Sequence, residues 1–150
     1  MRLDVFVFTA LVVLGSFSAL AAEPLPQGEF AGTGRYLGPQ DATGTYAVTA
    51  SVEGGRMVAS YVYKDATGQE RRETLTLTAA ADGSLAIESK DQPGAGRGRC
   101  DRDICSYAMT FPGGEVMELI RFKPDAIEKV GTKRFGEMSV TWTETLARVR

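Results

Sequence analysis

Thr45-Tyr46-Ala47-Val48-Thr49-Ala50-Ser51-Val52, then Glu53-Gly54-Gly55-Arg56, then Met57-Val58-Ala59-Ser60-Tyr61-Val62-Tyr63, decides the fold class. In the first run Tyr46, Val48, Ala50 and Val52 share one face, and in the last Met57, Ala59, Tyr61 and Tyr63 do. A two-residue period with apolar, β-branched and aromatic residues on one side is the pattern of a half-buried strand. The Gly-Gly between the runs is hairpin punctuation. The stretch therefore predicts two antiparallel strands joined by a tight turn.

The pattern recurs on both sides. Leu75, Leu77 and Ala79 alternate with Thr74, Thr76 and Thr78; Tyr107, Met109 and Phe111 share a phase; Met138, Val140, Trp142 and Leu146 alternate with Ser139, Thr141, Thr143 and Thr145. Asp65-Ala66-Thr67-Gly68, Asp82-Gly83, Pro112-Gly113-Gly114, Lys123-Pro124-Asp125 and Gly136 punctuate the runs. Their spacing is roughly ten residues, as in all-β chains, and links this short cannot carry a parallel crossover. Strands are expected at roughly 29–37, 43–53, 56–64, 70–80, 84–90, 95–100, 104–111, 115–123, 127–135 and 137–148. The expected architecture is all-β: an antiparallel up-and-down barrel of about 8–10 strands, because closure removes both exposed edges. A two-sheet β-sandwich is the alternative, but it usually needs longer crossing links.

Further out, residues 1–21 read as a cleaved signal peptide. Arg2 precedes an apolar run from Val5 to Leu14, and Ala19 and Ala21 supply the small residues of a cleavage site. Cleavage is expected after Ala21, or failing that after Ala22. An uncleaved anchor competes, since Val5 to Ala22 is about the minimum span, but Glu23-Pro24 follows rather than a basic cluster. Residues 22–28 hold Pro24 and Pro26 and form an extended lead-in. Residues 29–150 form a single β-barrel domain. The mature chain is then exported, periplasmic or extracellular, and not membrane-spanning.

The formal net charge of −2 argues against a nucleic-acid partner. Arg97, Arg99 and Arg102 are diluted by Asp101 and Asp103. The chain has no histidine, which removes Ser-His and Cys-His nucleophile pairs, His-ligated zinc and imidazole pH switches. No acid pair converges in the sequence, so no catalytic residue is assigned and the protein is read as not an enzyme. No cofactor is expected. Gly94-Ala95-Gly96-Arg97-Gly98 contains a G-x-G but neither follows a buried strand nor opens a helix. Its glycines, like Gly32 and Gly34, fit bends or close approach in a barrel wall.

Cys100 and Cys105 are the only cysteines, separated by Asp101-Arg102-Asp103-Ile104. As hairpin partners in an oxidising compartment they are expected to form a disulfide. Two thiolates alone do not make a metal site, and the spacing is not that of a thiol oxidoreductase.

The candidate interior holds Tyr46, Tyr61, Tyr63, Tyr107, Phe111, Trp142, Met57, Met109 and Met138. That mixture suits either a packed core or an apolar ligand. Glu144 lies in phase with Trp142 and Leu146 and needs a partner if it points inward. Residues 115–123 place a charge inside in either phase: Glu118 with Val116, Ile120 and Phe122, or Arg121 with Met117 and Leu119. The reading adopted is that Arg121 turns inward and pairs with Glu144. The candidate ligand-binding set is thus Tyr46, Tyr61, Tyr63, Tyr107, Arg121, Trp142 and Glu144.

Gly28-Glu29-Phe30 stands where a lipocalin carries Gly-x-Trp on its first strand, with Phe in place of Trp. Together with the hairpin meander, the chain resembles the calycin group of barrels: lipocalins, fatty-acid-binding proteins and avidins. The resemblance implies a barrel that binds a small apolar or amphipathic ligand. The alternative is an exported interaction or inhibitor module on a filled barrel, using the 100–105 loop against an envelope or secreted protein.

Overall fold

The structure, a computed structural model, describes residues 25–65, 67–91 and 94–149. The proposed signal peptide and the start of the lead-in lie outside the described residues. Ten strands follow one another: β1 (Gly28–Leu37), β2 (Thr43–Glu53), β3 (Arg56–Lys64), β4 (Glu70–Ala79), β5 (Ser84–Ser89), β6 (Ala95–Asp101), β7 (Ile104–Phe111), β8 (Gly114–Phe122), β9 (Ala126–Phe135) and β10 (Met138–Arg148). A single 3-10 turn, Pro39–Asp41, bridges β1 and β2. Each strand pairs with its sequence neighbour, and β1 also pairs antiparallel with β10, from Phe30 opposite Arg148 to Leu37 opposite Thr141. The sheet is a closed up-and-down barrel. No sandwich forms, because no strand is left with a free edge.

The alternation read from the sequence is the in–out alternation of the wall. Along β7, Cys105, Tyr107 and Met109 are buried while Ser106, Ala108 and Thr110 face outward. β8 departs from the apolar-in, polar-out rule. Val116, Glu118, Ile120 and Phe122 point in, while Met117 and Leu119 lie outside, 53% and 47% exposed. Met138, expected inside, is also exposed, at the start of β10 beside the Gly136 turn.

The barrel has two unlike halves. Phe30, Met57, Leu77, Ile120, Ile127, Leu146, Val48 and Cys105 fill the half nearer the β2–β3 and β8–β9 turns. Leu25 joins this core, and the adjacent Gln27 accepts a hydrogen bond from the Gly54 amide (2.8 Å). Arg148 lies over the Phe30 ring (5.0 Å) and donates to the carbonyls of Pro124 (2.9 and 2.7 Å) and Gln27. The two chain ends of the barrel are thus tied together across the packed end.

Close strand approach explains two of the glycines. A Cβ on Gly32 would sit 1.9 Å from the Thr145 carbonyl oxygen, and one on Gly98 2.2 Å from that of Ser106. Cys100 and Cys105 are directly opposed partners of β6 and β7 and form a disulfide. Both point into the core, Cys105 with no exposed surface.

Candidate functional site

The other half of the barrel is hollow. A cavity of about 600 Å³ lies toward the β1–β2 and β9–β10 connections. Tyr36, Tyr46, Tyr61, Tyr63, Tyr107, Met109, Trp142, Glu118 and Glu144 line its interior, and Lys64, Lys133, Phe135 and Val140 lie toward its mouth. Of the residues singled out from sequence, Tyr46, Tyr61, Tyr63, Tyr107, Trp142 and Glu144 are brought together here.

Arg121 is not. Its side chain is 53% exposed on the outer wall, 3.6 Å from Asp103. β8 carries apolar residues in both phases, so hydrophobicity alone does not fix which face turns in. Pairing with β7 fixes it: Arg121 lies opposite the outward Ile104, and Glu118 opposite the inward Tyr107. Glu118 therefore takes the interior place expected of Arg121.

The partner of Glu144 is Lys129, which the sequence reading did not single out. Lys129 Nζ lies 2.8 Å from Glu144 Oε2, 2.6 Å from Glu118 Oε1 and 2.6 Å from the Tyr61 hydroxyl. All three charged side chains are 1–2% exposed. Tyr46 donates to Glu144 Oε1 (2.7 Å), and Tyr107 donates to Glu118 Oε2. Glu118 Oε1 is paired with the same ammonium and has no other partner. The polar floor of the cavity is thus two carboxylates and three phenols around one ammonium.

Burial sets the protonation of this cluster. It raises the Glu118 pKa above the ordinary carboxylate value; Lys129 opposes the rise and Glu144 adds to it. Burial alone pulls Lys129 down, but the carboxylates Glu118 and Glu144 outweigh it, and its pKa lies well above the lysine norm. Burial, then the neighbouring carboxylates, pushes Tyr46 and Tyr107 far above the normal phenol value. Tyr61 is raised by burial against the pull of Lys129. Lys129 is held charged and the phenols are held neutral.

Cross-strand glycines keep the lumen open. Tyr46 faces Gly34, Trp142 faces Gly131 and Tyr36 faces Gly44 in the strand pairings. A Cβ on those glycines would fall 2.1 Å from the Tyr46 ring, 2.3 Å from the Trp142 ring and 2.6 Å from the Tyr36 ring. Each ring packs against the bare backbone of its neighbour, in the place a Cβ would take. Tyr36 and Trp142 are themselves paired, so the three rings make one aromatic wall over β10, β1 and β2.

A closed ten-stranded antiparallel barrel with one packed end and one hollow end is a calycin-like fold. Solved structures agree. The S-type phycobiliprotein lyase CPES from Guillardia theta superposes with a TM-score of 0.63 at 10% identity, covering 83% of this chain and 88% of that one. Rv2717c from M. tuberculosis superposes with a TM-score of 0.59 at 15% identity, covering 83% and 93%. No family model matches the chain, and no curated protein matches it in sequence. At these identities the likeness concerns the fold.

The likeness to a lyase overturns the expectation that the protein is not an enzyme. A chain of this fold carries out enzyme chemistry, so neither the barrel nor the missing histidine excludes catalysis. Missing histidine removes imidazole chemistry only. The acids that do not converge along the sequence, Glu118 and Glu144, meet on Lys129 in space.

Proposed function

We propose that the protein is an exported barrel that takes a small, largely apolar ligand into the cavity, in contact with Tyr46, Tyr61, Tyr63, Tyr107, Trp142 and Glu144. The observation that carries this reading is the 600 Å³ hollow above a polar floor, in a barrel whose other end is fully packed. The volume lies in the range of small-molecule sites, and a mostly apolar lining with a few convergent polar groups is their usual make-up. The cavity weighs against the alternative of a filled barrel acting only through its loops. Export is supported by the signal-like residues 1–21 and by a disulfide of the kind that persists in oxidising compartments. Among the described residues no helix is long and apolar enough to cross a membrane.

The chain Tyr107–Glu118–Lys129–Glu144–Tyr46 favours a second use of the same cavity. Within it Glu118, a carboxylate whose pKa burial raises, lines the ligand space as a proton-transferring acid or base would. Native mass spectrometry of gently purified protein tests the binding reading: a bound small molecule is expected, lost on unfolding. N-terminal sequencing of the same sample is expected to begin at Ala22. A chain that retains Met1 contradicts the export proposal.

A further inference from the structure

With Glu118 ionised, the charge of the floor does not balance. Glu118 and Glu144 face a single buried cation, Lys129, and both carboxylates line the cavity while Lys129 does not. Glu118 is 2% exposed at its side chain, and its Oε1 has no partner but Lys129, which it shares with Glu144. Among the described residues Lys129 is the one buried cation for these two carboxylates, and an unbalanced buried charge is costly. The three floor phenols cannot balance the charge. They are neutral, and Tyr46, Tyr61 and Tyr107 already engage Glu144, Lys129 and Glu118 Oε2 respectively.

Charge at the mouth is mixed, in contrast. Lys64 and Lys133 stand there with Glu73, and Lys133 already lies over the Phe111 ring (4.8 Å). The deep end is therefore the more selective for charge, and it selects a positive group. Above it, the rings of Trp142, Tyr36 and Tyr46 line the lumen. Ring faces attract both flat apolar bodies and cations.

We infer that the cavity selects an amine: a small organic cation whose protonated nitrogen docks at Glu118 on the floor and whose flat apolar body lies along the Trp142–Tyr36–Tyr46 wall. The inference rests on the ligand-binding reading above and adds the sign and shape of the ligand. The ammonium adds a second cation beside the two carboxylates and brings the floor, with Glu118 ionised, to neutrality. An anionic head is repelled at the same depth.

Three probes of one shape test this by isothermal titration calorimetry at neutral pH: 1-naphthylmethylamine, 1-naphthalenemethanol and 1-naphthylacetate. The amine is expected to bind the wild-type protein at least tenfold more tightly than the alcohol, and the acetate most weakly. In Glu118→Gln the amine is expected to fall to the level of the alcohol, with alcohol binding kept. Equal binding of amine and alcohol to the wild type overturns the charge assignment and leaves the ligand-binding reading standing. Tightest binding of the acetate also overturns it, and points to the mouth lysines. Binding of none of the three defeats both readings. The wild-type comparison decides the matter even if the variant does not fold.

Discussion

Lys129 holds the interior of this barrel together electrostatically. Its ammonium is the cation common to Glu118 and Glu144, and all three side chains are almost wholly buried. Removing one member of a buried ion cluster strands the others. Lys129→Met is therefore expected to cost ~3–5 kcal/mol in a denaturant titration. Glu118→Gln leaves the Lys129–Glu144 pair intact and is expected to cost far less. Equal losses in the two variants would contradict the central place given to Lys129.

The phenols give a second prediction at this scale. Tyr46, Tyr61, Tyr63 and Tyr107 all have pKa values raised by burial, four of the five tyrosines in the chain. A group whose folded pKa lies above its unfolded value keeps its proton longer when folded. Its contribution to stability is complete below about pH 10, the unfolded phenol value, and is lost as pH rises beyond it. Phenolate absorbance near 295 nm (roughly, for ionised phenol, which forms above the ordinary pKa of about 10) is expected to appear mainly with unfolding in an alkaline titration. Smooth, reversible ionisation of Tyr46, Tyr61, Tyr63 and Tyr107 in the folded protein contradicts the network.

At the scale of the element, the hairpin of β6 and β7 carries its disulfide inward. Chain-entropy reasoning for so short a loop gives about 2 kcal/mol of stabilisation. Cys100→Ser with Cys105→Ser is expected to lower stability by about that amount without abolishing folding. Because Cys105 has no exposed surface, the bond is expected to resist a thiol reductant until denaturant opens the barrel. Rapid reduction in native buffer, followed by alkylation and mass analysis, is the opposite result.

Elements also show what the sequence made legible. Where one face is apolar and the other Thr or Ser, as in β2 and β10, the phase is plain, and Tyr46, Trp142 and Glu144 fall inside as read. Where both phases are mixed, it is not. β8 has Met117 and Leu119 outside and Glu118 inside, which put Arg121 on the wrong face of the first reading. β9 has Ala126 and Val130 in one phase and Ile127 and Phe135 in the other, so Lys129 carried no mark. The usable signal was Gly131. A glycine in phase with Ile127 and Phe135 leaves room for the Trp142 ring, and places Lys129 on that same inward face. The contact of Lys129 with Tyr61 joins residues 68 apart in sequence. No local period reports it.

At the scale of the molecule, the barrel divides its labour along its axis. Large aliphatic side chains, the disulfide, Leu25 and the Arg148–Phe30 contact close one end. Glycine-backed aromatic rings keep the other end open, and a buried ion cluster separates the two. Packed interiors are the rule in proteins, so a hollow that the wall is shaped to preserve is the strongest functional mark in the fold.

The most direct test of that account uses Trp142, the only tryptophan, whose ring lies on the cavity wall. Titration with the neutral, polarity-sensitive probe N-phenyl-1-naphthylamine is expected to change Trp142 emission saturably at one probe per chain. Val140→Phe, which adds bulk at the mouth, is expected to weaken that binding at least tenfold while leaving the melting curve close to wild type. Absence of saturable binding, or equal binding by the wild type and Val140→Phe, would contradict a ligand site inside the barrel.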